Sequence, residues 1–265
     1  MQVHVLASGS TGNATFIEMG QTKLLVDAGI SARRIKASLA ALGTAIEELD
    51  GILITHEHRD HINGLPTLTK KYKTPVYARA ATFSSMYCRE ILPDCCCNVI
   101  GDSLDIGAVK VEPFSISHDA ADPVGFSLYH QENKCSVATD LGFVTDSVKK
   151  AIAYSDVLVF EANHDVDLLK NGSYPWHLKR RIMSNRGHLS NTDAAWTIAR
   201  MHKQQHTKVF LAHLSQENNR PEIAETTVRN ILSEQGCELD VELDIRLTYP
   251  DRTASFADDP LWLDK

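Results

Sequence analysis

The 265-residue sequence has no apolar run near the ~18–20 residues that a membrane-spanning helix needs. Its start, "MQVHVLASGSTGN", lacks both the basic lead and the long apolar stretch of a secretory signal. Positive charge is not in excess either: 27 Lys and Arg stand against 34 Asp and Glu, a net charge of -7. That excludes a protein that coats nucleic acid with its whole surface, while a local basic groove stays open. Cysteine is scarce, and three of the six (Cys95, Cys96, Cys97) are consecutive, a spacing poorly suited to a zinc site. In a long chain without an export signal, such cysteines predict reduced thiols and a cytoplasmic location. Repeats, low-complexity tracts and linkers are also missing, so residues 1–265 read as a single domain.

What is present is a chain of short apolar runs. "VHVLA", "ATFIEM" and "KLLVDAG" read as successive strands with glycine-rich turns between them. Ser31 is a cap for a helix carrying Ile35, Leu39 and Leu42 on one face, with Gly43 as its stop. "GILIT" is continuously apolar, the pattern of a strand covered on both faces. Further strands are expected at "AVKVEPFSIS", "VGFSLYH", "KCSVATD", "DVLVF" and "KVFLAH". Helices are expected from about Thr145, from Ser190 or Asn191, and from Pro221 to Gly236. The mixture predicts the α/β class, with sheets in the middle and helices outside.

Ionisable residues recur where apolar runs end. Asp27 follows "KLLV", His56 follows "GILIT" and His118 follows "PFSIS"; Asp140 follows "CSVAT", Glu161 ends "DVLVFE" and His213 follows "KVFLA". Strand ends of α/β sheets are where loops converge on a rigid base, so six such placements predict one pocket. "HEHRDH" then supplies imidazole and carboxylate, the usual ligands of zinc, manganese and iron. His56 and His58 lie two apart and can project together onto one ion in an extended segment. Asp60 and His61 follow the turn and face a second. Asp140 is placed to bridge them, with His118 completing one site and His213 the other. Two divalent ions (Zn, Mn or Fe) about 3.5–4 Å apart hold a hydroxide at neutral pH and suit in-line displacement at a phosphodiester or another activated ester.

These motifs, "THEHRDH", the lone His118, "ATDLG" and "LAHLS", resemble those of the metallo-β-lactamase fold. The resemblance implies a four-layer αββα sandwich with metals at one edge, and Asp27 supporting the metal loop rather than binding metal. "FEANHD" with "GHLSN" is similar to the paired Glu and His motifs of ribonuclease Z, and more similar to the YycJ/WalJ group of bacterial 5′-to-3′ DNA exonucleases. The implied function is a dinuclear phosphodiesterase that degrades DNA from 5′ ends, with the bridging hydroxide as nucleophile. Asp60 would orient the nucleophile, and His188, held by Glu161, would protonate the leaving oxygen. The same residues also suit a small-molecule phosphodiesterase or glyoxalase II-like thioesterase, or a metal-holding scaffold without turnover.

Candidate substrate contacts follow. "HLKRRIMSNRGHLSN" places Lys179, Arg180 and Arg181 just before His188, either as a phosphate track or as a solvated helix face. Ser8, Ser10 and Asn13 of "ASGSTGN" could offer groups to a phosphate, or form an ordinary hairpin. His164, Ser190, Asn191, Ser215 and Asn218 complete the candidates. Only 72 residues (positions 141 to 212) separate Asp140 from His213, too few for the inserted domain of RNA-cleaving β-CASP relatives. The sequence carries no sign of oligomeric state.

Overall fold

The computed structural model describes residues 1–257. Among them, the strands form two seven-stranded sheets. The first runs β14 (Ala254–Ala257), β1 (Gln2–Ala7), β2 (Ala14–Met19), β3 (Thr22–Val26), β4 (Gly51–Leu53), β5 (Val76–Ala78), β6 (Cys97–Val99). The second runs β13 (Leu243–Leu247), β12 (Thr207–Ala212), β11 (Val157–Glu161), β10 (Asn133–Ala138), β9 (Val124–His130), β8 (Val109–Ser115), β7 (Leu104–Ile106).

Val5, Ile17 and Leu24 from the first sheet pack against Val111, Phe126, Val159 and Phe210 from the second in one buried cluster. Helices α1 (Ala32–Ala41), α3 (Leu65–Tyr72) and α4 (Ala80–Ser85) cover the outer face of the first sheet through Ile35, Leu39, Leu68 and Phe83. Between α1 and α3 lies the single turn α2 (Arg59–Ile62). On the other side, α5 (Asp146–Ile152), α8 (Asn191–Arg200) and α9 (Pro221–Glu234) bury Val148, Ile198 and Val228 on Leu158 and Val209. Helices α6 (Val166–Asn171) and α7 (Trp176–Ile182) connect β11 to α8. The result is a four-layer αββα sandwich, and it explains the apolar strands: a sheet covered on both faces has no polar side to alternate with.

The helix ends follow local chemistry. Ser31, Thr145 and Ser190 each accept a backbone N–H in the first turn of α1, α5 and α8. Pro221 opens α9, and Gly236, at φ 77, stands just past its end. The expected strand at "GILIT" is shorter in the structure, since only Gly51–Leu53 pairs as β4. Sequence reading places no element between residues 56 and 107, where α2, α3, α4 and the three-residue strands β5, β6 and β7 lie. Strands that short have no readable period, and neighbouring strands impose them.

Direction positions the site. Strands β3 to β6 are parallel neighbours. Strands β10 to β13 are likewise parallel, and β8 shares their direction because both β8 and β10 run antiparallel to β9. The C-terminal ends of β3, β4, β8, β10, β11 and β12 therefore carry the six strand-end ionisable residues to one edge of the sandwich.

Candidate metal centre

Three of those strand ends use unusual backbone. Asp27 (φ 61), Asp140 (φ 61) and His213 (φ 56) all occupy the left-handed region. For a side chain other than glycine this conformation costs on the order of 1 kcal/mol or more, and such strain clusters at functional sites. Here it turns the chain abruptly off the strand, so that the side chain enters the edge between the sheets.

Asp27 anchors the loop that follows β4. Its Oδ1 accepts from the Thr55 N–H at 2.9 Å, and its Oδ2 accepts from His61 Nδ1 at 2.7 Å. With Nδ1 so occupied, His61 presents Nε2 to Asp60 Oδ2 at 3.5 Å and to Asp140 Oδ2 at 3.4 Å. Gly29 lets this loop pack tightly, because a Cβ there would lie 1.6 Å from the Asp60 carbonyl oxygen. His213 is held in the same manner as His61: its Nδ1 lies 2.9 Å from Glu161 Oε1, which leaves Nε2 facing Asp60 Oδ2 at 3.8 Å. A carboxylate that holds one ring nitrogen and frees the other is the usual partner of a ligating histidine.

Beside these, His56 Nε2 stands 3.1 Å from His58 Nδ1, and His118 Nε2 stands 3.3 Å from that same Nδ1. Three imidazole nitrogens converge on one point, and at most some of them carry a proton to share. Asp140 Oδ2 and His213 Nε2 are both buried and have no hydrogen-bond partner. Buried polar atoms are rarely left so, and a cation between them would satisfy each. His56, His58 and His118 form one group of ligand atoms all within 4.8 Å of one another; Asp60, His61 and His213 form another, and Asp140 joins His56 and His61 in a third. The donors fit divalent metal ions.

Charge in the cluster points the same way. Burial holds His56 well below the usual imidazole range, with His61, His118 and His58 adding to the effect. Burial likewise lowers His118, against the pull of Asp140. These are neutral rings with lone pairs to give. His61 goes the other way: burial would lower it, but Asp27, Asp140 and Asp60 lift it well above its ordinary value. His213 is raised to about 10, burial being overcome by Asp140, Asp60 and Glu161. Four carboxylates thus demand positive charge at the place where the ions would sit, and ions taking that role would displace protons from both rings.

Glu161 joins the cluster to a further histidine. Its Oε1 lies 2.8 Å from His188 Nδ1 as well as 2.9 Å from His213 Nδ1, and its Oε2 accepts from the Leu141 and Leu189 N–H groups at 2.9 and 3.0 Å. Burial would raise this carboxyl, but His188 and His213 hold it well below the usual range. The His188 ring stands 5.3 Å from His118 and 5.1 Å from His213, centroid to centroid, and its side chain is 14% exposed.

Several expected substrate contacts lie elsewhere. Ser8 and Asn13 are buried: Ser8 Oγ accepts from the His213 N–H at 2.7 Å, while Asn13 accepts from the Gly9 N–H and sits 3.2 Å from His61 Nε2. They brace the metal loop and face no open surface, unlike Ser10, which is exposed. Lys179 is also corrected. Its side chain is buried, and its Nζ donates to the Lys170 and Gly172 carbonyls at 2.8 and 2.7 Å, tying off the end of α6. Ser190 caps α8, Asn191 exchanges two amide hydrogen bonds with Asn219, and both are buried. Ser215 accepts from the Asn218 N–H, and the Asn218 carbonyl accepts from Asp165, so this pair ties two loops together. His164 is buried and held at about 4 by that burial. Arg180 is exposed on α7. Arg181 is exposed too, and forks onto Asp119 at 2.6 and 3.1 Å, next to His118.

Lys179→Met is expected to cost about 1.5–3 kcal/mol, the range for hydrogen bonds to a charged group, and about 3–10 °C of melting temperature in a chain this size. The KM for substrate should not move. An unchanged Tm with a raised KM would return Lys179 to the substrate.

Sequence reasoning missed Asn163 and Asn219. Asn163 donates to the His213 carbonyl at 2.8 Å, and Asn219 donates to the Ala162 and Asn163 carbonyls, both at 3.0 Å. Asn163 lies inside "FEANHD" and Asn219 directly follows the candidate Asn218, but only the fold reveals that they splice two strand ends.

The chain is similar to known proteins over most of its length. Residues 22–214 match the family described as the beta-lactamase superfamily domain. The Bacillus anthracis exodeoxyribonuclease YycJ is 40% identical over 251 residues, which cover 93% of this chain and 94% of that one. The chain belongs to the YycJ/WalJ group of the metallo-β-lactamase superfamily. Exodeoxyribonuclease WalJ of Streptococcus pneumoniae (serotype 2, strain D39) is 38% identical over 252 residues, 93% of this chain and 94% of the relative. Among solved structures, the metallo-β-lactamase fold protein YhfI of Bacillus subtilis superposes with a TM-score of 0.71 at 14% identity, covering 96% of this chain and 99% of that one. That likeness is one of fold. With the superfamily comes the class of chemistry: the protein is a metal-dependent hydrolase. No helix among the described residues is long and apolar enough to cross a membrane.

Proposed function

We propose that the protein is an exonuclease that hydrolyses DNA phosphodiesters from 5′ ends in the cytoplasm. The observation that carries this reading is Glu161 bonded at once to His188 and His213, on a chain so similar to two exodeoxyribonucleases. His56, His58 and His118 would hold one divalent ion and Asp60, His61 and His213 the other, with Asp140 between them. Bound there, the ions supply Lewis acidity and water activated at neutral pH.

The residues of the chain do the rest. Asp60, a quarter exposed at the mouth of the cluster, is placed to orient the attacking water as well as to hold metal. Glu161 holds His188 by Nδ1, which leaves Nε2 as the atom that donates a proton to the departing oxygen. An alkoxide leaves poorly from phosphorus without such a proton, whereas a thiolate needs none, so the Glu161–His188 pair favours phosphodiester over thioester. Arg181, exposed beside Asp119, is the cation we place nearest the phosphate entering the mouth. The six cysteines are free thiols, in keeping with a reducing compartment.

A substrate panel tests the reading. Purified protein with manganese or zinc is given end-labelled single- and double-stranded DNA, RNA, a small phosphodiester and a thioester. Degradation of 5′-phosphorylated DNA from its 5′ end is expected, and cleavage of the thioester alone would overturn the proposal.

A further inference from the structure

We infer that the groove between α5 and α8 holds the downstream single strand of the DNA while its 5′ end lies at the metal centre. The inference rests on the exonuclease reading above and adds a binding track to it.

The groove has a volume of about 910 Å³. One end is built by residues that continue directly from the site: Gly142 comes two positions after Asp140, and Leu189 follows His188. Gly142 also donates its N–H to the Ser117 carbonyl at 2.9 Å, one position before His118. From there the groove follows α8 for its length, about 15 Å at the usual rise per residue, which is room for a few nucleotides.

Its walls present aromatic faces to water. Phe143 is 54% exposed at the near end and Tyr154 is 53% exposed at the far end. Tyr154 stacks on His202 with ring planes 9° apart, and the Arg200 guanidinium lies 4.6 Å from the Trp196 ring centre. Planar groups interleaved with cations are how single strands are gripped without regard to sequence, since every base has a face to stack.

Charge in the groove favours a polyanion. Three cations, Lys149, Lys150 and Arg200, line it against two carboxylates: Asp146, paired with Lys149 at 2.9 Å, and Asp193, whose charge stays while it accepts from the Ser190 hydroxyl at 2.6 Å. Lys150 forms no ion pair among the described residues, and Arg200 rests on an indole instead of a carboxylate. On a chain of net charge -7, these cations are concentrated where a phosphate backbone would run. A second copy of the chain fits less well, because the lining interleaves its rings with Lys149, Lys150 and Arg200 instead of forming one apolar patch.

The test uses full-length protein loaded with manganese and two variants, the double change Phe143→Ala with Lys150→Glu, and Arg200→Glu, each checked for an unchanged melting temperature. Substrates are a 5′-phosphorylated dinucleotide, too short to reach the groove, and a 12-nucleotide single strand. The expected result is a rise of about tenfold in KM for the 12-mer in each variant. The dinucleotide then serves as the report on the metal centre. Equal KM for the 12-mer in wild type and both variants overturns the track. Should the wild-type protein cleave neither substrate, anisotropy of a labelled 12-mer with the metal-stripped protein decides. Binding weakened by the variants supports the groove although the exonuclease reading has failed; no binding, or binding indifferent to the variants, overturns it. Concentration-dependent dimers that either variant dissolves would also overturn it, by assigning the groove to a second copy.

Discussion

His188→Ala is expected to leave the metal content per chain unchanged and to lower kcat on 5′-phosphorylated DNA by about 10²–10⁴-fold, the usual worth of a general acid. The separation of the two readouts follows from the bonds around Glu161. Without His188, that carboxylate still accepts from His213 Nδ1 and from the Leu141 and Leu189 N–H groups, so the metal-facing ring keeps its support. His188 meets the cluster through Nδ1, 2.8 Å from Glu161 Oε1 and 3.8 Å from Asp140 Oδ1, while its ring stays over 5 Å from those of His118 and His213, centroid to centroid. A phosphodiester with a p-nitrophenolate leaving group supplies the internal control, since that oxygen departs without a proton. Its hydrolysis should fall far less than that of DNA. Equal loss on both substrates would show that His188 positions the centre instead of donating a proton, and unchanged turnover on DNA would sink the role altogether.

How much of this was legible in the sequence differs by kind of residue. The strand ends were readable because a charged residue after an apolar run is costly unless something compensates it, and six in register pointed to one edge. The cap Ser31 and the helix starts near Thr145 and at Ser190 or Asn191 were readable because capping is local chemistry. Ser8, Asn13 and Asn191 were misread because their partners lie far along the chain, and Lys179 because its partners are main-chain carbonyls that only the turn between α6 and α7 brings to its side chain. Ser8 meets His213 across 205 positions, and Asn191 meets Asn219 across 28. Polar type alone cannot say whether a side chain braces a loop or meets a ligand, because both uses select the same hydroxyls and amides. The short strands β5 and β6 were hidden for a related reason, as pairing with neighbours makes them strands more than their own residues do.

Asp140 gives the other large effect. Its side chain is 2% exposed, and its Oδ2 lies 3.4 Å from His61 Nε2 with no hydrogen-bond partner, while Oδ1 lies 3.4 Å from His213 Nδ1. Of the candidate ligands, it alone stands with both the His56–His61 group and the Glu161–His188–His213 group. Asp140→Asn is the clean variant. Asparagine tolerates the left-handed backbone at φ 61 and keeps the shape, so the fold loses little, whereas Ala would add backbone strain. A neutral amide, however, cannot offer an oxygen of negative charge to two cations at once. Metal analysis should show the content falling from two ions per chain to one or none. Ligand linkage turns that loss into stability: an ion present at 100 to 1,000 times its Kd contributes about 2.7–4.1 kcal/mol, on the order of 10 °C of Tm in a chain this long. Wild-type protein should therefore melt about 10 °C higher with manganese than with chelator, and Asp140→Asn should lose most of that difference. A variant that keeps both ions and the full metal-dependent rise would contradict the bridging assignment while leaving the histidine ligands standing, since His56, His58 and His118 converge without any help from this carboxylate.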